Sequence, residues 1–131
     1  MKAIFINSID RTITEGTIDN ETFLAQSIAY LGGSPTVGQN ILTPNEQGYD
    51  TIHIDENYFN RMSILDGSEK ATFFGVKHDR GEQVLPGKAI IVGTSKEVNN
   101  VDVTRDIEYW KANIAFYTKA EALEKTRVIY E

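Results

Sequence analysis

The chain has 131 residues, a length that fits one domain able to cover about two thirds of the surface its unfolded form exposes. Its formal charge of −6 and its scattered Lys and Arg argue against a surface that neutralises nucleic-acid phosphates, and the lack of cysteine excludes disulfides, thiolate catalysis and cysteine-ligated metal centres. Ordinary apolar content, with aromatic residues along the whole length, excludes intrinsic disorder, and no apolar run reaches membrane-spanning length.

Lys2 to Asn7 and Thr12 to Ile18 are β-prone segments joined by Ser8-Ile9-Asp10-Arg11, whose Ser and Asp suit a turn, so an N-terminal hairpin is expected. The apolar run that opens the chain is short and has no small-residue cleavage site after it, so it reads as a strand and not as a signal peptide. Asp19 or Asn20 offers an N-cap. Phe23, Leu24, Ser27, Ile28 and Leu31 then share one helical face, and Gly32-Gly33 with Pro35 ends the segment, which predicts a helix from Asn20 to Leu31.

From Ser34 to Gly48 the chain is rich in turn residues around a short apolar island, Ile41-Leu42, where one short strand is expected. Tyr49 to Asp55 alternates. Ile52 and Ile54 should face the core while Thr51, His53 and Asp55 face the other way, the pattern of a half-buried strand. Asn57 to Leu65 reads as a brief helix or a loop, and Asp66-Gly67-Ser68 as a turn.

Residues 71 to 95 look like the organising stretch. Two apolar runs, Ala71 to Val76 and Ala89 to Val92, flank a polar loop carrying Lys77, His78, Asp79, Arg80 and Glu82, and they read as strands paired with one another. Pro86-Gly87 fits the centre of a type II turn, with Gly87 at positive φ. Beyond a polar turn at Lys96 to Asn100, Thr104 is the expected N-cap of a helix from Arg105 to Lys111. Ile107, Trp110, Ile114 and Tyr117 keep helical spacing, which would carry that helix on to about Arg127. Against this, Thr118-Lys119-Ala120-Glu121 is a capping box, which starts a new helix after a strand from Asn113 to Tyr117; the second reading is preferred, because a strong cap has no purpose inside a helix. The whole is an α+β single domain, mainly antiparallel sheet, with one early helix and one or two C-terminal helices on a face.

Lys77, His78, Asp79 and Arg80 form the densest polar cluster, held between two core strands where a ligand-binding group is often placed; a merely solvated hairpin loop has the same composition. His53, Asp55 and Glu56 with His78 have the donor chemistry of a mixed metal site, but the chain has two histidines and neither stands at a recognised ligand spacing, so no metal is expected. No G-x-S-x-G elbow is present. Gly32-Gly33-Ser34 follows a helix instead of opening one, and Gly93-Thr94-Ser95-Lys96 lacks the spacing of a phosphate loop, so nucleotide hydrolysis is rejected and no cofactor is expected. Trp110 and Tyr117 would form an interface if exposed together, and core if not.

The run LPGKAIIVG at Leu85 to Gly93, with DIEYWKANIAFYT at Asp106 to Thr118, resembles small uncharacterised proteins carried by bacteriophages and plasmids. That resemblance covers the second half of the chain better than the first. It implies a protein of the host-cell cytoplasm acting on host physiology or defence, and it carries over no catalytic residue. Three functional classes follow. The favoured one is a non-enzymatic binding or regulatory protein, expected to form a homo-oligomer, that captures a host protein or a small ligand and touches neither nucleic acid nor membrane. The alternatives are a small enzyme using a His/Asp acid-base pair, His78 with Asp79 or His53 with Asp55, and an acidic mimic of DNA.

Overall fold

The structure, a computed structural model, describes residues 1–31, 36–40, 48–55, 70–78, 81–97 and 99–130, with the side chains of 36–40, 48, 78 and 126–130 left aside. Among the described residues are nine strands and three helices: β1 (Lys2–Asn7), β2 (Thr12–Thr17), α1 (Phe23–Leu31), β3 (Thr36–Asn40), β4 (Gly48–Asp55), β5 (Thr72–His78), β6 (Gly81–Pro86), β7 (Lys88–Ser95), β8 (Asn100–Val101), α2 (Ile107–Asn113), β9 (Ile114–Thr118) and α3 (Lys119–Tyr130). The strands form two antiparallel sheets. The larger runs β2-β1-β7-β4-β3 with β8 added to β7, and the smaller runs β6-β5-β9.

Side-chain alternation along each strand sorts the residues into layers. Ile4, Ile6, Ile52, Ile54, Ala89 and Ile91 of the larger sheet meet Phe74, Val76, Leu85 and Ile114 of the smaller one in a single buried cluster, which Trp110 and Val103 complete. Burial of each such Ile or Phe side chain contributes about 1.5–3 kcal/mol, so this seam between the sheets is the main source of stability. The opposite face of the larger sheet, with Ala3, Ile90 and Val92, is covered by Phe23 and Leu31 of α1. The opposite face of the smaller sheet, with Phe73 and Tyr117, is covered by Ala122 of α3. The architecture is therefore α+β, with two sheets face to face and a helix on each outer side.

Local chemistry explains the ends of the elements. Asn7 Oδ1 accepts from the backbone N–H groups of Ile9 and Asp10 at 3.0 and 3.2 Å, which closes the β1–β2 hairpin turn. Thr118 Oγ1 accepts from Glu121 N at 3.3 Å while Glu121 Oε1 accepts from Thr118 N at 3.0 Å, the reciprocal pair of a capping box, and β9 passes directly into α3. Gly87 has φ +77° and donates its N–H to Thr72 O, turning the chain from one sheet into the other.

Several expectations need correction. The two apolar runs are not partners: β5 pairs with β6 and β9, whereas β7 pairs with β1, β4 and β8. Residues 81–86, which include Glu82 of the expected polar loop, are a strand. Phe74 and Ile91 nevertheless lie in the same buried cluster, brought there from facing sheets. β4 is buried on both faces, with Thr51 at 6% and Asp55 at 4% exposure, because α1 covers the side assigned to water. Within α1 the buried stripe is Phe23, Ser27 and Leu31, and Leu24 is 61% exposed. The cap of α2 is Asp106, whose Oδ1 accepts from Tyr109 N, and not Thr104. Ile41-Leu42, Asn57 to Leu65 and Asp66-Gly67-Ser68 lie outside the described residues.

Candidate binding site on the outer face of the smaller sheet

β5, β6 and β9 point Gly75, Glu82 and Tyr117 away from the core and toward α3. Gly75 makes room for the other two: a Cβ at that position would stand 2.7 Å from the Tyr117 ring and 2.8 Å from the Glu82 carboxylate. Over this gap the Tyr117 hydroxyl donates to the Glu82 carboxylate, 2.7 Å from Oε2 and 3.0 Å from Oε1. The capping box sets the start of α3, which places Glu121 and Lys125 one turn apart on one side of the helix. Lys125 Nζ lies 5.6 Å from the Tyr117 ring centroid and 3.8 Å from Glu82 Oε1. Tyr117, Glu121, Glu124 and Lys125 line an open groove of about 340 Å³ beside this cluster.

Electrostatics fix the state of the groups. The Tyr117 phenol is pushed up to about 12 by burial first, then by the hydrogen bond and charge of Glu82 and the charge of Glu121, so at neutral pH it is a stable donor. Glu121 is held below the usual carboxylate range, chiefly by the backbone N–H of Thr118 and then by its hydroxyl. Tyr30, which donates to Ile6 O at 2.9 Å, is likewise raised to about 12 by burial and by Asp10. Both phenols thus hold their protons more tightly in the folded chain than in the unfolded one, where tyrosine titrates near 10. Their stabilisation is complete below pH about 10 and is lost as pH rises from there through about 12. In an ultraviolet phenolate titration, the Tyr30 and Tyr117 phenols are expected to ionise late, with Tyr30→Phe and Tyr117→Phe each removing one late-ionising group. Phenolate formation complete by pH about 10.5 would contradict this picture.

Of the cluster expected from the sequence, Lys77 lies on this face. Lys77 is exposed and pairs in register with Glu82, so both stand on the outer side of the sheet, and His78 pairs with Gly81 at the hairpin tip. Asp79, Arg80 and the His78 side chain lie outside the description. Trp110, at 0% exposure, and Tyr117, at 9%, are buried, Trp110 between the sheets and Tyr117 under α3, so they do not form the exposed interface considered above. His53 sits beneath α1 with its ring 5.1 Å from Phe23, and burial holds its pKa down; with Asp55 at 4% exposure, this pair is set in a packed layer and not in a cleft. The Ser27 Oγ and His53 Nε2 atoms find no hydrogen-bond partner among the described residues.

Asp50 is a further buried carboxylate. Its oxygens accept from Thr104 N and Thr104 Oγ1, each at 2.8 Å, and burial raises its pKa against those bonds. It ties the approach to α2 onto the larger sheet, which is a structural task. Among the described residues no group of three or more His, Asp or Glu is placed to hold a metal ion, and no helix is long and apolar enough to cross a membrane. Sequence reasoning missed the Glu82–Tyr117 pair, whose members stand 35 positions apart with no local pattern joining them. No protein-family model matches the chain, and no curated protein and no solved structure matches it.

Proposed function

We propose that the chain is a non-enzymatic binding or regulatory protein that captures a host protein or a small ligand through the outer face of its smaller sheet. The observation that carries this reading is the groove itself. An aromatic ring pinned by a carboxylate stands at its edge, and the same face of the sheet carries the Lys77–Glu82 register pair, one residue before His78 in the chain. A Tyr that keeps its proton through neutral pH holds the Glu82 carboxylate in one position, and the rim of its ring borders the groove. The resemblance of Leu85–Gly93 and Asp106–Thr118 to proteins of phages and plasmids supports a role on a mobile element in the host cytoplasm. Self-association belongs to the same proposal.

The test is affinity capture from host cells with the wild-type chain and with His78→Ala and Arg80→Ala, read by quantitative mass spectrometry of proteins and small molecules. Each variant is expected to keep its fold by circular dichroism and to lose about tenfold in recovery of the captured species, the worth of one binding contact. Equal recovery by both variants would remove the hairpin tip from the site.

A further inference from the structure

Resting on the binding reading above, we propose that the groove beside Tyr117 receives an arginine or lysine side chain from a basic segment of a partner protein, and that Lys125 occupies that place in the free chain. The chemistry is visible in the contacts. A cation is already positioned over the Tyr117 ring and beside Glu82, but both contacts are long, at 5.6 and 3.8 Å, and the Lys125 side chain is 50% exposed while that of Glu82 is 14% exposed. The carboxylate is fixed and mostly covered, whereas the lysine end is held loosely and is readily displaced. Glu82 accepts one hydrogen from Tyr117, shared between its two oxygens, which leaves most of its acceptor capacity unused by that bond.

A guanidinium fits the same position better than the resident ammonium. Its plane stacks on an aromatic ring, its fork matches a carboxylate, and it is more weakly hydrated. Glu121 and Glu124 bring further negative charge to the groove, and the chain as a whole carries −6. An anionic or phosphorylated partner would meet carboxylates here, so charge complementarity selects a basic one. Lys125 then acts as an internal competitor. It lowers the apparent affinity by the fraction of time it spends in the groove, and it satisfies Glu82 when no partner is present.

The test uses an acetylated and amidated Gly-Arg-Gly-Arg-Gly peptide, and the same peptide with citrulline for arginine, followed by amide chemical shifts of the full chain. Saturable shifts centred on Tyr117, Glu121 and Lys125 are expected for the arginine peptide and none for the citrulline one. Lys125→Ala should tighten binding about threefold by removing the competitor. Glu82→Gln should weaken it about tenfold, while Glu15→Gln, on β2 of the other sheet, leaves it unchanged. Dispersed spectra of the variants confirm folding. Binding that Lys125→Ala leaves equal or weaker, that Glu82→Gln does not change, or that spreads over the whole acidic surface overturns the proposal. If the peptide fails to bind while capture from host cells still depends on His78 and Arg80, this inference falls and the binding reading stands. Failure of both removes both.

Discussion

Trp110→Ala is expected to lower folding stability by about 4 kcal/mol, the upper range for deleting a buried aromatic side chain. Trp110 is 0% exposed and stands where α2 meets β2 of the larger sheet and β5 and β9 of the smaller one, so its ring closes one end of the seam between the sheets. Removing it leaves a cavity bordered by both sheets, and neither can collapse into the gap without giving up its own strand pairing. For a chain of this length the loss corresponds to a fall in Tm of about 15 °C. Trp110→Phe should cost about half as much, because it keeps most of the ring and discards an indole N–H that finds no partner among the described residues. Urea unfolding followed by circular dichroism measures both, and a cost below about 1 kcal/mol for the alanine variant would mean that the seam does not depend on this side chain.

Gly93→Ala should be nearly as damaging, about 3 kcal/mol, for the opposite reason. Gly93 lies on β7 between Asp50 of β4 and Val101 of β8, on the face that looks into the seam. A Cβ there would collide with the backbone carbonyl oxygen of Asp102 and would stand 3.0 Å from Val101 Cγ2. Backbone cannot rotate away as a side-chain tip can. The Asp102 segment is also fastened on both sides: Asp102 Oδ1 accepts from Lys2 N at 2.7 Å, Val103 N donates to Lys2 O at 3.0 Å, and Thr104 is held by Asp50. Relief of the collision must therefore break the β7–β8 pairing or the Asp50–Thr104 clasp. Hydrogen exchange reads the site of damage: faster exchange is expected at Val103 and Thr104, with β5, β6 and β9 unchanged. Unaltered protection at Val103 and Thr104 would show that the close approach is not a constraint.

What the sequence made legible was local. β-prone residues gave β1, alternation gave the inward face of β4, Pro86-Gly87 gave the turn and its positive φ, and Thr118 with Glu121 gave the restart of a helix after a strand. The pairing of β5 with β7 was misread because two long apolar runs look like partners whenever they are close in sequence. Their continuous hydrophobicity instead records that both strands are covered on both faces, β7 by the seam and α1, β5 by the seam and α3. β6 was hidden because its outward positions carry Glu82 next to a charged tip, and half of its inward positions are also polar at Gln83. The site was only half legible: Lys77 drew notice as part of a charge-dense run in the sequence, whereas Glu82 and Tyr117 meet only through tertiary pairing across β5. Thr104 looked like a cap by type, but its hydroxyl is committed to Asp50, which leaves Asp106 to cap α2.

The most direct check on this architecture and on the face it exposes is a nuclear Overhauser spectrum of the labelled chain. Cross-peaks are expected from the Gly75 α-protons to the Tyr117 ring, from that ring to the Lys125 side chain, and between the backbones of Gly75 and Val84. Backbone cross-peaks joining residues 72–78 to residues 88–95, with none from Gly75 to Tyr117, would contradict both the two-sheet arrangement and the groove built on it.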